Sequence, residues 1–354
     1  MTEQPSHRPS PAHLARIRRP SPQSAQRSAK PSPPVDRQQT PPSDGKPSAR
    51  KNETELRAVG PLGRLVRVRH RTDTTRPPFL DGVEADANAL ILLRRTAFPD
   101  LSGDEVELPD EAATALTAWA AKSGLGQRPA DVKAVTARRK LALDRLRAQG
   151  LAVRHVTLRP EWRLAVGLGN KDNAHEIGIA LHGSYGWPII PGSTLKGVTA
   201  QWAWEHSKPI TPEKVARYVR IFGAPLTKER AKCAEEVTER PEAARGRVRF
   251  LDAFAAGAPV TVTVDVLTPH VKPYYDRTAD ERTAAQAPPP AEHHQPVPVR
   301  FLTVSAGRFD AALVGDDADE TEQAAKWLVE AVNELGVGAK TSAGYGYLTV
   351  EEKA

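Results

Sequence analysis

The spacing of apolar positions changes character along the chain, and the order of those changes sets the expected fold. Residues 111–123 (EAATALTAWAAKS) and 129–150 (PADVKAVTARRKLALDRLRAQG) are dense in Ala, Leu, Lys and Arg, and the second stretch closes on Gly150, where helices commonly stop. Residues 56–152 are therefore expected to be mostly helical. From residue 153 the composition turns to Val, Thr, Phe and Leu, and 153–169, 247–256, 260–270, 297–315 and 346–352 are expected to be extended. Two helices fall between the first and second of these segments. One begins at Pro191-Gly192 with Ser193 as its expected N-cap; the next has Thr211 as cap and Pro212 in its first position. In the last helix, Asp316, Asp317, Asp319 and Glu320 crowd the start, Ala325, Leu328, Val329, Val332 and Leu335 recur at helical spacing, and Gly336 marks the stop. Strand, helices, strands, helix, glycine loop, strand is an α+β plan. It places helices on one face of a mainly antiparallel sheet, as in the ferredoxin-like (RRM-like) split βαβ arrangement, over residues 153–354.

Composition separates a tail from this body. Residues 1–50 hold 11 of the 32 prolines and nine Lys/Arg against three acids, so they carry +6 of the formal +7 and leave the remaining 304 residues at +1. With few large apolar residues, the stretch 1–55 cannot offset its ordering entropy and is expected to be disordered. Its charge suits either an electrostatic arm for nucleic acid or a solubilising extension. Cys233 stands alone, which excludes a disulfide framework and a thiolate metal site. No apolar run reaches the roughly 18 residues of a membrane span. No signal-peptide pattern opens the chain, so a cytoplasmic protein is expected. Arg138, Arg139, Lys140, Arg145 and Arg147 on the second helical stretch read as a solvated face.

Two backbone-rich segments carry candidate chemistry. GVGAKTSAGYGYL (336–348) contains GAKT, yet it is no P-loop: Ala339 precedes the lysine where glycine is needed, and the segment follows a helix and opens a strand, the reverse of the phosphate loop. Its glycines at 336, 338, 344 and 346 permit successive N–H groups to face one anion, with Lys340, Thr341 and Ser342 adding donors. In SYGWPIIPGSTLKG (184–197), Lys196 falls in the first turn of a helix, where a cation opposes the helix dipole unless an anion sits there. Gly197, costly inside a helix, suggests a close approach to that backbone. Two separated anion sites suit a polynucleotide backbone better than a single nucleotide.

The motifs LAVGLGN, IALHGSYGWPIIPGSTLKG, GRVRFLDAF, VLTPHVKPYYD, PVPVRFLTVSAG and ELGVGAKTSAGYGYL, in this order over about residues 160–352, resemble the RAMP superfamily of CRISPR effector subunits. Within it they are similar to the family of the sixth subunit of the Cmr (type III-B) complex. The resemblance implies a non-catalytic protein of antiviral defence that binds guide CRISPR RNA and target RNA near the guide 3′ end and stacks on other RAMP subunits. From the residues themselves, no cofactor and no metal are expected. Carried over by position, the resemblance implies RNA contacts from Ser193, Thr194, Lys196 and Gly197, and from Gly336, Gly338, Lys340, Gly344 and Tyr345; Thr341, a donor in the same loop, is expected to join them. In PHVKPYYD, His270, Lys272, Tyr274 and Tyr275 match a further motif, where a ring could stack on a base or pack the sheet. Some RAMP relatives cut guide precursors without metal; on that alternative, His182 and Tyr185 are the acid and base candidates. His293 and His294 lack a third ligand at recognisable spacing and read as a surface loop.

Overall fold

The computed structural model describes residues 53–71, 77–170, 173–269, 274, 296 and 298–351. Tail residues 1–52, His270, Lys272, Tyr275, His293 and His294 lie outside them. Three short strands, β1 (Glu53–Arg57), β2 (Arg67–Arg71) and β3 (Phe79–Asp81), pair as an antiparallel meander. The expectation of a mostly helical 56–152 is corrected here. In the register, Leu56 faces Val68 and both are buried, while Arg67 and Arg69 share the Asp81 carboxylate. A five-residue ladder carrying so much charge has no apolar run to announce it.

Helices α1 (Ala89–Arg95), α2 (Asp110–Ser123) and α3 (Pro129–Ala148) follow. The Asn88 side chain accepts from the Ile91 N–H to cap α1, and Gly124 ends α2 in the left-handed conformation at φ +58°. The rest of the chain runs β4 (Ala152–Pro160), α4 (Gly192–Glu205), α5 (Pro212–Phe222), β5 (Gly223–Ala224), α6 (Lys228–Glu235), β6 (Ala244–Arg245), β7 (Arg249–Ala255), β8 (Thr261–Leu267), β9 (Val299–Ala306), β10 (Phe309–Gly315), α7 (Ala318–Glu334) and β11 (Leu348–Glu351). Thr211 caps α5 through the Lys214 N–H, as its spacing predicts, and among the acidic residues at the start of α7 it is Asp317 that caps, through the Glu320 N–H.

β11, β4, β10 and β7 form, in that order, a four-stranded antiparallel sheet. On one face Val156, Leu158, Ala311 and Leu313 pack with Leu195 of α4 and Ala324, Leu328 and Val332 of α7. The other face is not open: Val153, Ala312 and Val314 pack with Leu143 of α3. The expectation of helices on one face is therefore corrected. Because both faces are covered, β10 reads as a continuous apolar run without alternation. Arg139 of α3 enters the same layer, where its guanidinium lies 3.3 Å from Asp310, whose other oxygen is 3.0 Å from His155 Nδ1. It is thus no member of a solvated face. Burial works to raise the Asp310 carboxyl, but His155 and Arg139 outweigh it and hold it below its ordinary value.

A second cluster joins Leu56, Val68, Leu93, Phe98, Leu116 and Trp119 to Ile177, Ile179, Val262 and Leu302. The β8–β9 hairpin therefore shares its core with the N-terminal elements. At its edge His175 Nε2 accepts from the Phe98 N–H at 3.2 Å, and burial pushes the ring down to about 4 from 6.5. The unfolded chain takes up this proton first, so stability is full above pH 6.5 and falls as pH drops towards 4, by about 3 kcal/mol in all. Urea titrations across that range are expected to show this slope in the wild type and lose it in His175→Gln, which keeps an acceptor. Equal slopes would place the titration elsewhere.

Candidate nucleic-acid interface

The entry to α4 is held by β7. Ile190 exchanges backbone hydrogen bonds with Ala253, and a Cβ on Gly192 would stand 2.1 Å from the Phe250 carbonyl oxygen, so only glycine lets the helix start this close to the strand. Pro191 occupies the cap position, with no side-chain cap from this segment. The expected N-cap, Ser193, is corrected: the Gly192 N–H donates to Asp252 Oδ1 at 2.7 Å, and Ser193 stands exposed within the first turn. The Thr194 and Leu195 N–H groups both donate to the Pro191 carbonyl. Backbone donors at this end are largely spent, so side chains would carry an anion here.

Two cations supply the charge. Lys196 is half-buried, and burial, then the Arg245 guanidinium, hold its ammonium below the ordinary lysine value. Arg245 is exposed on β6, and neither cation has a carboxylate partner among the described residues. Like charges brought together on a surface mark a place where a counter-anion is favoured. Beside them, Gly197 is exposed, and a Cβ built on it would meet nothing within 4 Å. Among the described residues nothing makes the close approach expected at Gly197.

The glycine loop after α7 is more self-contained than its composition suggests. A Cβ on Gly338 would lie 2.4 Å from the Ala165 carbonyl oxygen and one on Gly346 2.1 Å from that of Val337, both at positive φ. Gly336 also has positive φ and follows the Leu335 cap of α7. The N–H groups of Val337, Ala339, Ala343, Gly344, Tyr345 and Gly346 all donate within the protein. Those of Gly338, Lys340, Thr341 and Ser342 have no acceptor among the described residues. Gly344 has open space where a Cβ would go. Lys340 adopts the left-handed conformation at φ +63°, which costs a non-glycine residue about 1 kcal/mol. Its ammonium lies 5.4 Å from the centre of the Phe301 ring.

Tyr345 is interior, 9% exposed, and its hydroxyl donates to Asp265 Oδ2 at 2.6 Å. Burial and that hydrogen bond push the phenol up to about 12. Burial works to raise Asp265, but the Tyr345 hydroxyl, the Val266 N–H and Arg163 keep the carboxyl below its ordinary value. Tyr274, alone of the PHVKPYYD candidates among the described residues, is half-buried.

His182 and Tyr185 lie together, ring centres 4.8 Å apart and stacked, with Phe254 against the imidazole. The N–H groups of Ser184 and Tyr185 both donate to His182 Nδ1, at 3.2 and 3.3 Å. Burial lowers the imidazole pKa, with Asp252 opposing. Its neutral form therefore carries its proton on Nε2 and presents a donor, not a base.

The family model of the RAMP superfamily matches residues 112–349. The chain belongs to the RAMP superfamily. The match takes in α2 and α3 as well as the four-stranded sheet. Among curated proteins this RAMP chain is similar to the CRISPR system Cmr subunit Cmr6 of Pyrococcus furiosus, 31% identical over 231 residues, covering 52% of the chain and 64% of that protein. It thus spans less than two thirds of that relative's length. Solved structures with similarity include a type III-B Cmr-beta complex bound to cognate target RNA, at 19% identity and TM-score 0.47, covering 69% of this chain and 74% of that one. Another is Cmr6 from Pyrococcus furiosus, at 26% identity and TM-score 0.35, covering 57% and 99%. In this RAMP chain no helix among the described residues is long and apolar enough to cross a membrane.

Two residues of the α4 site escape a sequence reading. Asp252 caps a helix from sixty positions away, and Arg245, on a two-residue strand, adds its charge to the field at Lys196. The only signal for either was the charge within ARGRVRFLD, which no local pattern links to α4.

Proposed function

We propose that this chain is a non-catalytic RNA-binding subunit of a type III-B CRISPR effector complex. On this reading it holds guide and target RNA near the guide 3′ end and stacks on neighbouring RAMP subunits. The observation that carries it is the exposed, open backbone at Gly197, with Lys196 beside it in the same helix and no carboxylate partner for that lysine among the described residues. Lys340 and the unspent N–H groups of the glycine loop support a second phosphate contact. Family membership and the 31% identity to Cmr6 support the assignment to the complex. The strand order β11-β4-β10-β7, with α4 after the first strand in sequence and α7 after the third, supports a ferredoxin-like core with the β8–β9 hairpin inserted between its second and third strands.

The absence of chemistry is part of the proposal. Metal-free cleavage needs a base within reach of the 2′-hydroxyl, and His182 offers a fixed donor instead. Among the described residues no cluster of His, Cys, Asp or Glu could hold a metal ion. Purified protein incubated with single-stranded RNA, with and without Mg2+, is expected to retain the RNA intact. His182→Ala in the assembled complex is expected to leave target cleavage near wild type. Cleavage by the isolated subunit that vanishes in His182→Ala would overturn the proposal in favour of a ribonuclease.

Gly197 gives an independent check. Alanine there has room, so Gly197→Ala is expected to stabilise the free protein by about 0.5–1 kcal/mol while weakening RNA binding, because the methyl fills space the ligand needs. Thermal melts and filter binding on one variant read both effects. Greater stability with unchanged affinity would mean that solvent alone occupies the space.

A further inference from the structure

We propose that Trp162 is a base-stacking platform for single-stranded RNA, set beside the phosphate contacts of the glycine loop. The inference rests on the RNA-binding reading above and assigns a different chemistry to a residue outside its motifs. Trp162 follows the end of β4 and is 52% exposed. A lone exposed apolar side chain needs no explanation, so exposure is only the first observation.

The second is the rigidity of its support. The indole lies 4.9 Å from the Tyr345 ring, tilted by 50°, and Tyr345 is fixed by its hydrogen bond to Asp265. Arg163 pairs with the same carboxylate and places its guanidinium 5.2 Å from the indole centre. The preceding Glu161 N–H donates to the Tyr347 carbonyl, which ties this turn to the strand entry of the glycine loop. The indole is therefore held in place before any ligand arrives, which removes most of the ordering cost of stacking.

The third is charge. Lys340 sits over Phe301, whose ring is 6.0 Å from Tyr345, so a cation with no carboxylate partner among the described residues stands two rings from the exposed indole. Next to it are the N–H groups of Gly338, Lys340, Thr341 and Ser342, which have no acceptor among the described residues. Binding of single-stranded nucleic acid combines an electropositive track for phosphates with aromatic faces for bases. Here the two kinds of group share one structural unit. An apolar protein partner would cover Trp162 but leave those donors and Lys340 unanswered, so the observations favour RNA.

The test uses the full chain and a short single-stranded oligoadenylate. Trp162→Ala and Trp162→Leu are expected to lose about 5- to 100-fold in affinity, and Trp162→Phe to retain most of it. The slope of log K against log salt is expected to stay at the wild-type value, since no phosphate contact is removed. The side chain is peripheral, and circular dichroism melts confirm that the variants fold. Quenching of tryptophan fluorescence on adding RNA is expected to shrink in Trp162→Phe. If the wild type binds RNA with a lysine-dependent salt slope while Trp162→Ala and Trp162→Leu bind equally well, stacking is overturned and RNA binding stands. If the wild type does not bind, both readings fall. Unchanged RNA affinity with lost assembly onto neighbouring subunits would overturn stacking and give Trp162 to a protein interface.

Discussion

Replacing Lys196 by alanine and Lys340 by glycine in one chain is expected to lower RNA affinity by about two orders of magnitude and to take about two units off the salt slope. Each charge-assisted contact to phosphate contributes roughly 1.5–3 kcal/mol, or about tenfold or more. Glycine is chosen at 340 because that residue has φ +63°, so the change removes the ammonium and relieves backbone strain together. At 196 the ammonium is crowded by burial and by Arg245, and alanine suits a helix, so folding should not suffer. The double variant is therefore expected to melt no lower than the wild type while binding far worse, uniformly across RNA sequences. Titrations at several salt concentrations decide the matter. Wild-type affinity and slope would reduce both lysines to surface residues.

Gly346→Ala is expected to destabilise the fold by about 3–5 kcal/mol. Part of this is the left-handed conformation at φ +81°, which costs an alanine about 1–2 kcal/mol. The rest is overpacking: the new Cβ would stand 2.1 Å from the Val337 carbonyl oxygen, where the Val337 N–H already donates to the Gly346 carbonyl. Val337 and Leu348 beside it are fully buried, so neither backbone can retreat without opening the core. Gly344→Ala is the matched control. It has a similar φ of +86° but open space, and about 1 kcal/mol is expected. Urea midpoints of the pair measure the difference. Equal losses would mean that the loop is not packed as described.

These two results bear on how much of the protein its sequence reveals. Elements with local signatures are legible: α5 through Thr211 and Pro212, and α7 through Asp317, its apolar spacing and Gly336. What escapes depends on distant partners. The glycine loop looks like an open anion nest, yet Gly338 is required by Ala165, far away in the chain, and several of its N–H groups serve the fold. Asp252 takes the capping role that Ser193 offers locally, because β7 brings a stronger acceptor to the helix start. α3 covers the second face of the sheet through Leu143 and Arg139, and its Lys- and Arg-rich composition hides both contacts. Of the candidate site, Gly197 was readable as a glycine inside a helix, Lys196 by its place beside it, and Lys340 by the glycines around it. Arg245 and Trp162 have no such local sign and become visible only through their neighbours.

Ultraviolet crosslinking of the assembled complex to its guide and target RNA, with the crosslinked peptides identified by mass spectrometry, tests the central claim most directly. Crosslinks concentrated in the segments around Ser193–Gly197 and Gly338–Gly344 are the predicted result. RNA-crosslinked complex whose peptides from this chain lie elsewhere, or carry no RNA at all, would contradict the account.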